Sequence, residues 1–73
     1  VKGGKIMDSI VAKNAKRIIW EKGYKQKAIA ERAGYSVNVF NAMLNNRRSI
    51  IDKDVVRIAQ ALNVTPNELF LLH

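Results

Sequence analysis

The stretch "AIAERAGYSVNVFNAML", residues 28–44, decides how the rest of the chain is read. It begins as a good helix, and Gly34 breaks it. Ser36, a favoured helix starter, follows two residues later, and a second apolar-periodic run resumes. The first half sets Ile29, Ala30 and Ala33 on one side and Glu31 and Arg32 on the other. The second half turns Val39, Phe40, Met43 and Leu44 inward. Ala30 has a side chain small enough to let the two helices cross closely. Gly34 can take the positive φ that redirects the chain within a tight turn.

Two helices joined so closely present one of them to the outside instead of burying a longer one. That is the logic of a helix-turn-helix, in which the helices cross at about 90–120°. Working outward, the same signals recur. Met7, Val11, Ala15, Ile18 and Ile19 repeat at helical spacing. Asp8 or Ser9 suits the start of this helix, Gly23 its left-handed end, and Lys22 the negative end of its dipole. The second helix is expected from near Lys25 to Ala33. Asn45 or Asn46 can close the third, since Asn tolerates positive φ. "RRSII" reads as a loop, and Asp52 opens a fourth helix with Val55, Ile58, Ala59 and Leu62 inward. "TPNEL" places Thr65 as cap, Pro66 at the first helical position and Glu68 three past the cap, which predicts a fifth helix to about Leu72. No convincing strand alternation, repeat or low-complexity tract appears. The expectation is an all-α, compact five-helix bundle: residues 1–6 a flexible lead, residues 7–73 one domain.

Seventy-three residues support a single core. There is no cysteine, hence no disulfide framework and no thiolate metal site. No apolar stretch approaches the ~18 residues of a membrane span, and the N-terminal apolar run is too short for a secretory signal. The chain therefore reads as soluble and cytoplasmic. Thirteen Lys and Arg against six Asp and Glu give a net charge of +7, an excess that attracts polyanions, nucleic acid foremost. The charge is uneven. Lys13, Lys16, Arg17, Lys22, Lys25, Lys27 and Arg32 crowd one region, Arg47 and Arg48 form a second cluster, and nothing basic follows Arg57 apart from His73. Catalysis has no candidate, because the lone His is terminal and the carboxylates do not cluster with a nucleophile. No metal, cofactor or small-molecule site is evident.

"KQKAIAERAGYSVNVFNAMLNNRR" (25–48) followed by "VVRIAQALNVTPNELF" (55–70) resembles the phage repressor and Cro, or XRE, type of helix-turn-helix domain. The resemblance runs from about Arg17 to Leu71, with Gln26, Ile29, Ala30, Gly34, Ser36 and Phe40 at the family's spacing. Lys25 stands where the family often has Thr, Leu44 where it commonly has Glu, and Asn46 where it has Gly. The resemblance implies a lambda-repressor-like fold with the helix-turn-helix formed by helices 2 and 3. It also implies that the third helix enters the major groove of operator DNA. Base-reading residues would then be Gln26, Ser36, Val37, Asn38, Asn41, Ala42 and Asn45. Asn can bond adenine N6 and N7, and Val37 or Ala42 can touch a thymine methyl. Lys27, Arg47 and Arg48 would hold phosphates. A homodimer would read two half-sites about 34–36 Å apart on a palindromic operator, as a transcriptional repressor of phage or mobile-element type in a prokaryote.

Plainer readings stand beside these. The charge is also compatible with a solvated surface, or with sequence-blind binding to duplex or anionic membrane. Asn45 and Asn46 suit turns in any protein. Trp20 and Tyr35 are read as covers at the core edge. Leu69, Phe70, Leu71 and Leu72 exceed what one short helix can bury, which suggests a dimer or partner surface. The same domain could thus serve as an antitoxin-like or accessory interaction module.

Overall fold

Ser9 opens the first helix. Its hydroxyl accepts the Ala12 N–H at 3.2 Å, satisfying one donor that the helix cannot satisfy itself. The computed structural model describes residues 9–72. The lead over residues 1–6, the expected helical start at Met7, the alternative cap Asp8 and the terminal His73 lie outside the described residues.

Within them the order is α1 (Ile10–Lys22), α2 (Gln26–Ala33), α3 (Val37–Leu44), α4 (Asp52–Leu62) and a 3-10 helix (Pro66–Phe70), with no strand. Three connectors are built alike. In each, one residue takes the left-handed conformation: Gly23 (φ 69°), Gly34 (φ 88°) and Asn63 (φ 60°). Next comes a partly buried apolar anchor, Tyr24, Tyr35 or Val64, packed against the core. Then an extended residue, Lys25, Ser36 or Thr65, starts the following element. Each junction carries the paired backbone bonds of a Schellman ending, as in Tyr35 N–H to Ala30 O at 2.9 Å and Gly34 N–H to Glu31 O at 3.1 Å.

The inward rows meet in one core. Phe40, Ile29, Met43, Leu44, Ile58, Leu62 and Leu69 are its largest fully buried side chains. Each such burial contributes about 1.5–3 kcal/mol relative to exposure. Ala15, Ala30 and Ala59 are fully buried where the helices approach. α1 packs on α3, α4 and the 3-10 helix, and α2 packs on α3 and α4.

The five-helix expectation needs correction, since there are four α-helices and the last element is a five-residue 3-10 helix. The reason lies in α1. Asn14, buried among apolar neighbours, donates its side-chain amide to the carbonyls of both Leu69 and Leu71 at 2.8 Å. Those carbonyls are taken by a side chain, and Leu71 turns extended instead of continuing the helix. Glu68 still reaches back to the Thr65 N–H at 3.2 Å, the carboxylate half of the expected capping pair.

Candidate nucleic-acid interface

The residues that face out of α3 are fixed at both ends of the helix. At its start Ser36 Oγ accepts the Val39 N–H at 3.1 Å, so this hydroxyl serves as a cap acceptor. At its end Asn46 takes φ 62°, and Arg47 N–H returns to Ala42 O at 2.8 Å. The Asn46 side chain adds an anchor that glycine could not supply, because its Oδ1 accepts the Ser9 N–H at 2.8 Å. The exit of α3 is thereby tied to the entry of α1. Leu44 is fully buried, so a charged residue there would have no place.

Between these ends Val37 and Asn38 are exposed, Asn41 and Ala42 half-buried, and Asn45 exposed. Gln26 at the head of α2 donates Nε2 to Asn41 Oδ1 at 3.2 Å. Asn45 Nδ2 donates to the same oxygen at 3.0 Å and to the Asn41 carbonyl at 2.8 Å. Three of the residues expected to read bases therefore form one hydrogen-bonded row across α2 and α3. An amide whose oxygen is engaged twice within the protein has its N–H donors left to offer a ligand.

The expected phosphate contacts flank this row. Lys27 is exposed beside Gln26. Arg47 and Arg48 are exposed in the seven-residue loop from Asn45 to Ile51. The absence of a threonine at Lys25 has the expected effect, since α2 begins without a side-chain cap.

The turn is braced from behind by residues that sequence reasoning did not single out together. Tyr35 stacks on Phe40 with ring centroids 6.1 Å apart, and the Arg57 guanidinium lies 5.4 Å from the Tyr35 ring centre. The Tyr35 hydroxyl donates to Asp54 Oδ1, and Asp54 Oδ2 accepts the Ile51 N–H at 3.0 Å. Burial raises the Tyr35 pKa, and its bond to Asp54 adds to the rise. Burial alone would raise Asp54 as well. The hydrogen bonds from Tyr35 and Ile51, with the nearby charges of Lys53 and Arg57, outweigh it and hold the carboxyl below its usual range.

Two expectations fail here. Trp20 does not cover the core, because it is 83% exposed. Leu69 cannot belong to a partner surface, because it is fully buried on the inner side of the 3-10 helix, while Phe70, Leu71 and Leu72 are exposed. Asn14 was missed. Its signal was a polar residue in the inward row between Val11 and Ile18.

Among the described residues no group of His, Cys, Asp or Glu could hold a metal ion, and no helix is long and apolar enough to cross a membrane. No curated protein matches the chain. A helix-turn-helix family model matches residues 15–69, which takes in all four α-helices but the first turns of α1 and nearly all of the 3-10 helix. That match falls on the junctions and core described above, and the chain belongs to the XRE/Cro-type helix-turn-helix family of DNA-binding regulators.

Proposed function

We propose that the chain is a sequence-specific regulator that inserts α3 into the major groove of double-stranded operator DNA. The observation that carries this reading is the Gln26–Asn41–Asn45 row, which holds polar side chains of α3 in register with the head of α2. Asn38, exposed in the first turn of α3, supplies both a donor and an acceptor for adenine. Asn41, with its oxygen engaged, offers donors suited to purine N7, guanine O6 or thymine O4. Gln26 and Asn45 hold it in place and reach neighbouring base edges. Ser36 donates through its hydroxyl, and Val37 and Ala42 offer apolar contact to a thymine methyl. Lys27, Arg47 and Arg48 clamp the phosphates on either side, adding affinity without sequence information.

The protein acts as a homodimer on a palindromic operator, as a repressor of phage or mobile-element type in the cytoplasm of a prokaryote, without catalysis or cofactor. The exposed apolar trio Phe70, Leu71 and Leu72 supports a paired state. The same trio favours the second reading, an interaction module that grips another protein. Loss of partner capture on Phe70→Ala, with binding intact in Asn38→Ala and Asn41→Ala, would select that reading.

The deciding experiment is recovery of bound duplexes from a random pool at about 150 mM salt, where the charge-only term is weakened. A palindromic consensus with half-sites about one helical turn apart is expected. No enrichment by folded protein would overturn the reading.

A further inference from the structure

Trp20 is the only tryptophan in the chain, and it is nearly all in solvent. An indole in that position gains nothing from the core. It shares a stripe of α1 with Lys13 and Lys16, at spacings that set side chains on one helix face, and all three are exposed. A shallow groove runs from Lys16 and Trp20 past Ile19 and Tyr24 to Gln26. Gln26 in turn bonds Asn41 of α3. The row assigned to base reading thus continues onto α1 without a gap.

The chemistry of the groove selects its occupant. No carboxylate lines it, and the neighbouring Glu21 is engaged by Arg17 at 2.9 Å. Lys16 in its lining, Lys13 on the same helix face and a net charge of +7 repel a basic partner and attract a polyanion. Indole combines a flat apolar face with one N–H donor and no acceptor. Those features match a deoxyribose face and the phosphate oxygen beside it.

We propose that Trp20, together with Lys16, grips the sugar–phosphate backbone of duplex DNA just beyond the segment read by α3. The proposal rests on α3 being the recognition helix. A backbone contact adds the same affinity on every sequence, and this separates it from base readout.

The test uses the full chain and two labelled duplexes of equal length, one recovered by the selection above and one of random sequence. Fluorescence anisotropy gives affinity, and acrylamide quenching of the single tryptophan reports its accessibility. Saturating duplex is expected to at least halve the quenching slope. Trp20→Ala should weaken both duplexes by one common factor of roughly five to ten, the scale of one net hydrogen bond with its packing. Trp20→Phe should recover part of the loss. The thermal midpoint should not move, because the side chain buries little. Unchanged quenching, or unchanged affinity in Trp20→Ala, overturns the proposal and leaves the role of α3 intact. A loss confined to the selected duplex overturns it in favour of a base contact. If the wild-type chain binds neither duplex, the reading of α3 falls first and Trp20's role with it.

Discussion

The connector between α2 and α3 and the one between α3 and α4 begin alike and then diverge. Both turn on a left-handed residue with the same pair of backbone bonds, Gly34 directly after α2 and Asn46 one residue beyond Asn45. The first then sinks Tyr35 against the core and restarts at once on Ser36. The second places Arg47 and Arg48 where the anchor would be, and delays its own apolar contact until Ile50. Three residues suffice when an apolar side chain fixes the turn; seven are used when the turn must carry charge outward. The short connector sets the geometry of α3, and the long one equips its exit.

The contrast can be broken most forcefully at the anchor. Phe40→Ala removes the ring beneath Tyr35 and should cost about 3–5 kcal/mol. Thermal unfolding should register a midpoint drop of well over 10 °C, at about 4–8 °C per kcal/mol for a domain of this size. The long connector should respond in the opposite way. Replacing Arg47 and Arg48 together with Ala should leave the midpoint in place yet weaken duplex binding by about 3 kcal/mol, the low end for two charge-assisted contacts. The slope of log K against log salt should fall by roughly 1.8, about 0.9 for each phosphate released. A change in stability with no change in slope would contradict the division of labour.

Smaller changes sharpen it. Gly34→Ala meets no close neighbour, the nearest being Arg57 Cζ at 4.0 Å, so its cost is conformational, about 1 kcal/mol in denaturant unfolding. The smallest effect is electrostatic. Asp54 has a lowered pKa in the folded state, so its contribution is present above the unfolded carboxyl value and is lost as pH falls through the folded one. Stability should therefore decline below about pH 4, and Asp54→Asn should flatten that limb of the curve. The raised pKa of Tyr35 works the other way: its share is present below the unfolded phenol value and is lost as strongly alkaline pH passes through the folded one.

What was legible in the sequence was local. Gly23, Gly34, Ser36, a closing Asn45 or Asn46 and the Thr65–Pro66 start each announce themselves through backbone chemistry that involves only near neighbours, and the inward rows follow from helical period. What escaped depended on distant partners. Trp20 reads as a cover at the core edge, but its position on the Lys13–Lys16 stripe turns it to solvent. The 3-10 helix was read as α because the cap and proline are right for either. The decision belongs to Asn14, 55 residues earlier. Of the candidate interface, the resemblance to the family pointed to Gln26 and Asn41, while their shared hydrogen bond required the crossing of two helices.

Asn14 has a consequence for how the domain is made. Its amide has its two carbonyl acceptors only when Leu69 and Leu71 have come back to α1. Until then the site leaves a buried polar group stranded, at about 1–3 kcal/mol. The bond therefore couples the docking of the 3-10 helix to burial of the inward row of α1. Removing residues 69–71 should leave that amide unpaired and make the domain easier to cleave by protease than the intact one.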